Sequence, residues 1–149
     1  MSVMTSAVPP AVDESNGISV AKRNTILIVE DEAMVRALTS AVLKRAGYAV
    51  LEAEDGVEGA AIFAKNFEKI DLLLTDISLP GLRGPDLARY ARQLQPTVQI
   101  LFMSGSIQFE EKSVADEIYR SGCLEKPFTA EQLRDQITAR LGRVFKISF

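Results

Sequence analysis

Several runs of this chain end in groups able to bind a divalent cation or a phosphoryl group. Thr25-Ile26-Leu27-Ile28-Val29 is followed at once by Glu30-Asp31-Glu32. The run is apolar and rich in β-branched residues without clean alternation, the pattern of a strand buried on both faces of a parallel sheet. Adjacent carboxylates at the point where such a strand meets water repel one another unless solvent or a cation relieves them. A hard ion such as Mg2+ suits that need, because it takes oxygen ligands from one or two carboxylates, waters and a phosphate. The triplet also suits the positive end of a helix dipole, so alone it does not define a site.

A second run, Ile70-Asp71-Leu72-Leu73-Leu74-Thr75, closes on Asp76 and enters a turn marked by Pro80-Gly81. In open parallel α/β sheets ligands bind beyond the carboxyl ends of the strands, which places Asp76 and the acidic triplet on the same rim. A single Asp before a turn is commonly a turn residue, and the second acidic cluster on that rim gives it weight as a ligand. Two further apolar runs end near Ser104 and Lys126. The hydroxyl offers a hydrogen bond to a phosphoryl oxygen, and the ammonium offers a charge that neutralises phosphate. Carboxylate, carboxylate, hydroxyl and ammonium on one rim favour phosphoryl chemistry over packing.

Positioning these groups requires alternating strands and helices. Residues 32–46, 56–66, 84–94, 109–120 and 129–141 read as helices, with a further strand at 48–53. Val35, Leu38, Val42 and Ala46 form a helical stripe in the first, and Leu133, Ile137 and Leu141 in the last. Thr129 with Gln132 has the form of a capping box. Five βα units predict an α/β fold, a doubly wound five-stranded parallel sheet with helices on both faces.

From Asn24 to Leu141 the chain resembles the receiver domain of the bacterial two-component response-regulator family. The resemblance rests on Glu30-Asp31, on Asp76-Ile77-Ser78-Leu79-Pro80-Gly81, on Met103-Ser104-Gly105 and on Lys126-Pro127-Phe128. It implies the flavodoxin-like strand order 2-1-3-4-5 and a phosphoacceptor at Asp76. Asp31 and Asp76 would bind Mg2+ directly, Glu30 through water, and Ser78 through its backbone carbonyl. Lys126 would contact the phosphoryl group, Ser104 would turn toward it after transfer, and the Lys126–Pro127 bond would be cis. The implied partners are a histidine kinase or histidine phosphotransfer protein as donor, an unidentified downstream protein target, and a second copy of the chain as a homodimer. The chain departs from the family at Cys123, where receivers commonly carry an aromatic ring that moves with the hydroxyl residue. A small cysteine reads as a buried apolar residue in preference to a redox sensor, and Phe102, Phe109 and Tyr119 are the candidates to replace the ring.

Chemistry and composition agree with that expectation. Phosphoryl transfer is mainly positioning and charge neutralisation, and an ionised carboxylate needs no general base at neutral pH. The chain of 149 residues has no histidine, so it reads as an acceptor and as neither a histidine kinase nor a histidine phosphotransfer domain. A net charge of −3 gives no footprint for nucleic acid, and a single cysteine excludes an intramolecular disulfide and suits the cytoplasm. No signal peptide or membrane span is legible. The domain is expected at 24–142, with a flexible tail at 1–23 and a short alternating tail at 143–149, too short for an output domain. The chain therefore reads as a stand-alone receiver that signals through partner contacts or acts as a phosphate sink, and not as an enzyme. The alternatives are a degenerate receiver binding partners independently of phosphorylation, and a small Mg2+-dependent phosphatase. Haloacid-dehalogenase-like phosphatases carry a second Asp two residues after the nucleophile, where this chain has Ser78. Neither nucleotide-binding glycine motif is present.

Overall fold

The computed structural model describes residues 23–105 and 112–142, together with a short antiparallel ladder of Val12–Asp13 with Ile18–Ser19. The remainder of the expected amino-terminal tail, the carboxy-terminal tail at 143–149 and the ring candidate Phe109 lie outside the described residues. Five parallel strands form the sheet: β1 (Thr25–Val29), β2 (Ala49–Ala53), β3 (Ile70–Asp76), β4 (Gln99–Ser104) and β5 (Cys123–Glu125). Their order is 2-1-3-4-5, as the resemblance implied. Between and after them run α1 (Ala33–Arg45), α2 (Gly56–Asn66), α3 (Gly84–Leu94), α4 (Lys112–Ser121) and α5 (Ala130–Leu141). The chain leaves β1 toward β2 and returns to the other side of β1 as β3, so strand order reverses between β1 and β3. A crevice opens beyond the carboxyl ends of that pair.

Successive residues of the central strands enter opposite cores. Leu27, Val29, Leu73, Ile100 and Phe102 pack with Phe63 of α2, Leu87 of α3 and Ile118 of α4. Ile26, Ile28, Leu72, Leu74, Leu101 and Met103 pack with Leu43 of α1 and with Leu133 and Ile137 of α5. Both faces are therefore dry, which is why these strands show no polar alternation. The expected capping box at α5 is present, with Gln132 N donating to Thr129 Oγ1 at 3.0 Å and Thr129 N donating to Gln132 Oε1 at 2.8 Å. Asp55 caps α2 by accepting from Glu58 N at 2.7 Å.

The stripe expected on α1 is in part displaced. The fully buried residues of α1 are Thr39, Ser40 and Leu43, whereas Leu38 is 63% exposed. Val42 and Ala46 pack partly buried against the core, and Val35, Leu38 and Val42 line a groove between α1 and α5. The two helices share one face of the sheet, so the apolar stripe of α1 turns toward its neighbour helix. The described part of α4 begins at Lys112, and the expected start at 109 lies outside the described residues.

This displacement has a thermodynamic signature. Leu43→Ala is expected to destabilise the fold by about 2–5 kcal/mol through cavity formation. Leu38→Ala is expected to change it by less than about 0.5 kcal/mol. Urea unfolding of both variants checks the assignment, and equal losses would restore the stripe read from sequence.

Candidate acidic phosphoryl-transfer site

The site is assembled by three strand ends. Glu30 N donates to Ala53 O at 3.1 Å, continuing the ladder one residue past β1. Glu30 is thereby turned into the interior and is fully buried, while Asp31 and Glu32 are exposed at the entry to α1. Arg36, one turn into α1, secures this bend by donating from Nη1 to Glu30 O at 2.8 Å.

Asp76 closes β3 opposite Met103, and Ile77 N extends the pairing by donating to Met103 O at 3.1 Å. The chain then loops and begins α3 almost on top of the end of β3. A Cβ on Gly84 would lie 2.0 Å from Asp76 O, and one on Gly56 would lie 1.9 Å from Leu82 O. These two contacts fix the loop from both sides, and no larger residue permits such approach. Pro85 supplies a pre-set φ in the first turn of α3.

Lys126 follows β5, held by its own N–H to Ser104 O at 2.7 Å, and the Lys126–Pro127 bond is cis as the resemblance implied. Its Nζ lies 2.6 Å from Glu30 Oε1 and 2.7 Å from Asp76 Oδ1. Glu32 Oε1 is farther away at 3.9 Å. One ammonium thus serves two buried carboxylates. The other oxygen of Asp76, Oδ2, is buried and has no hydrogen-bond partner among the described residues. Carboxylate oxygens of Glu30, Asp31 and Asp76 all lie within 4.8 Å of one another.

The electrostatics follow from that arrangement. Burial, reinforced by the Glu30 carboxylate, pushes Asp76 up to about 8 against the pull of Lys126. Burial also works to raise Glu30, but hydrogen bonds with Asp76 and Lys126 outweigh it and hold Glu30 below its ordinary value. Burial works to lower Lys126, and Asp76 and Glu30 outweigh it in turn, keeping the ammonium charged. With Lys126 as the one cation bridging them, Asp76 therefore holds its own proton at neutral pH while Glu30 stays ionised. Lys126 alone does not bring Asp76 back to its ordinary value, so its full ionisation at neutral pH calls for a second positive charge. An orphaned carboxylate oxygen among converging carboxylates is a donor set that fits a hard divalent cation.

The other predicted residues lie on the same rim. Ser104 ends β4 in register with Glu125, next to the Lys126 turn. Ser78 is exposed in the loop two residues beyond Asp76. Cys123 opens β5 opposite Phe102, half-buried against the core on the α4 side. Its thiol is pushed up by burial and then by the charge of Glu125, so it remains protonated and unreactive. Arg36, Gly56 and Gly84 were not identified from sequence as site residues. The two glycines were visible only as helix starts, and nothing local marks a close approach to a strand distant in sequence.

A doubly wound sheet with an acidic, lysine-bridged rim at its switch point is the architecture of a two-component receiver domain. The chain belongs to the response regulator receiver domain family, whose profile matches residues 26–138. It is 34% identical over 119 residues to the sensor kinase CckA of Brucella abortus, covering 78% of this chain and 12% of that protein. It is 35% identical over 121 residues to the phosphate regulon transcriptional regulatory protein PhoB of Pseudomonas aeruginosa, covering 80% of this chain and 52% of that one. The chain thus spans from about a tenth to about half the length of these relatives. Among solved structures, the Vibrio cholerae chemotaxis protein CheY4 matches with a TM-score of 0.72 at 26% identity, over 80% of this chain and 99% of that one.

The crowded carboxylates have a pH-dependent cost. The fold keeps Asp76 protonated up to about 8, whereas the unfolded chain ionises it near its ordinary value of about 4. Over that window the folded state binds more protons, so this residue's contribution to stability falls as pH rises. Without divalent cation, Asp76→Asn is expected to unfold at higher urea than the parent, with the gap widening between about pH 5 and about pH 8. Millimolar Mg2+ should narrow the gap. A gap independent of pH would contradict the upward shift of Asp76.

Proposed function

We propose that this chain accepts a phosphoryl group on Asp76 from the phosphohistidine of a histidine kinase or histidine phosphotransfer protein. The observation that carries this reading is the buried Asp76 carboxylate, bridged on one oxygen by Lys126 and unpartnered on the other. In the transfer, an Asp76 oxygen bonds to phosphorus as the P–N bond breaks. The bonding pair returns to the donor imidazole, leaving an aspartyl phosphate. Asp31 and Asp76 directly, Glu30 through water and the Ser78 carbonyl would hold Mg2+. The ion supplies the charge neutralisation that two anionic partners need. Lys126 neutralises a phosphoryl oxygen, and Ser104 turns its hydroxyl toward the group once it is attached.

The receiver spans residues 24–142, with the flanking residues as tails. Ser78 stands where a hydrolytic second carboxylate would be, so the chain acts as a phosphorylated switch and not as an enzyme with turnover. It works in the cytoplasm, without contacting nucleic acid, and passes its state to a downstream protein or to a second copy of itself. Among the described residues no helix is long and apolar enough to cross a membrane. For the donor, the α1–α5 groove is the supporting surface: about 600 Å3, lined by Val35, Leu38, Phe128 and Leu133, and opening beside Lys126. Met34 and Leu38 stand 76% and 63% exposed on the same helix. An apolar strip of this kind suits the side of a donor helix.

Two measurements test the proposal. Intact-mass spectrometry after incubation with Mg2+ and a small acyl phosphate is expected to show one phosphoryl adduct on the parent and none on Asp76→Ala. Lys126→Ala should label far more slowly while retaining Mg2+. No adduct with Mg2+ bound would instead favour a receiver restricted to its own kinase or one that binds partners independently of phosphorylation, with Cys123 the next residue to test. Leu38→Glu is expected to slow transfer from a protein donor by at least about tenfold while leaving the small-donor rate unchanged. Equal slowing with both donors would remove the groove from the donor interface.

A further inference from the structure

Ser121, the last residue of α4, is gripped from both flanking helices. Arg92 of α3 pairs through Nη1 with Glu117 and donates from Nη2 to Ser121 Oγ at 2.6 Å. Ser121 Oγ donates in turn to Glu117 Oε2 at 3.0 Å. From the other side, Arg140 of α5 donates to Ser121 O from Nε at 3.3 Å and from Nη2 at 2.9 Å. Its Nη1 is anchored to Gln136 O at 2.9 Å and to Gln136 Oε1 at 2.8 Å. Gly122 makes this possible: its φ is +99°, and a Cβ there would lie 1.9 Å from Arg140 Nη2. The Glu117 side chain is only 8% exposed and that of Arg92 27%. Exposed ion pairs contribute little, but charge-assisted bonds held this far from solvent define a geometry.

What lies beyond the grip is the acceptor site. Gly122 O accepts from Phe102 N at 3.0 Å, Met103 O accepts from Ile77 N at 3.1 Å, and Ser104 O accepts from Lys126 N at 2.7 Å. Three consecutive residues of β4 therefore join the residue after Ser121, the residue after Asp76, and Lys126 itself. We infer that Arg92 and Arg140, acting through Ser121, are positioning residues for the acceptor site. They fix where α4 ends and β5 begins, and through β4 the placement of Lys126 against Asp76. A packed strand has little room to absorb a shift at one end without passing it on. This inference rests on Asp76 being the acceptor.

The test removes the Arg92 half of the grip without stranding a buried charge, by combining Arg92→Met with Glu117→Gln. A control, Asp71→Ala, deletes the 2.8 Å bond from Thr25 N at the opposite end of the sheet. At temperatures where all forms are folded, the double variant is expected to label with acyl phosphate roughly two- to thirtyfold more slowly than the parent. The Asp71→Ala control should label at the parental rate. Arg92→Lys, which keeps the charge opposite Glu117 but loses the fork, should fall between. Backbone amide resonances of Ile77, Met103 and Lys126 should shift in the double variant and in Arg140→Met, and not in the control. A parental labelling rate in the double variant, or unshifted amides at those three residues, would overturn the inference. A parent that fails to label would overturn the acceptor assignment instead, and the amide shifts would still decide the positioning claim.

Discussion

Two buried carboxylates share one lysine, and much of the molecule is arranged around that constraint. Glu30 and Asp76 are 0% and 4% exposed, and Lys126 bridges them at 2.6 and 2.7 Å. Removing such charges from water costs several kcal/mol per ion, and a compact apolar cluster of similar volume is commonly as stable or more so. The arrangement is therefore poor as a device for stability. It is apt for holding anionic chemistry, because its oxygens are already fixed and partly stripped of water before any ligand arrives.

The constraint explains features of the fold that otherwise look unrelated. The three groups come from the ends of β1, β3 and β5, so they meet only in a sheet whose order reverses between β1 and β3. The ends must also be held at fixed heights. Glu30 is held by pairing to Ala53 and by Arg36, Asp76 by the Ile77–Met103 bond, and Lys126 by its bond to Ser104. Gly84 lets α3 start directly against the carbonyl of Asp76, which leaves the loop after β3 no alternative path.

The sequence exposed strand interiors and strand ends clearly, because two-sided burial abolishes alternation and a polar residue then marks the exit. Asp76, Ser104 and Lys126 were legible for that reason, as were the limits of α2 and α3. Which member of Glu30-Asp31-Glu32 turns inward was not, since it depends on one further ladder bond to a strand that lies 23 residues later in the chain, at Ala53. The α1 stripe was legible as a stripe but not as the wall of an interhelical groove, because periodicity reports that a face is apolar and not what covers it. The Arg92–Glu117 and Arg92–Ser121 contacts join residues 25 and 29 apart, and no local pattern announces them.

Cys123 shows how the site and the α4 side of the molecule fit together. The residue is half-buried opposite Phe102, where a large ring that swings between core and solvent is absent. Neither described substitute is placed to take over that movement. Phe102 is 0% exposed and locked between β4 and α4, and Tyr119 is already 83% exposed on the outer face of α4. A protonated, apolar thiol fills its space without pointing anywhere. Among the described residues, this leaves backbone placement along β4 and the position of α4 as the features of this face that connect to Asp76. The ends of those two elements meet at Ser121 and Gly122, where two arginines from neighbouring helices converge. A receiver that lacks the ring thus has its backbone tethered by Arg140, and the neighbouring side chain by Arg92, two residues before the position where the ring would have acted.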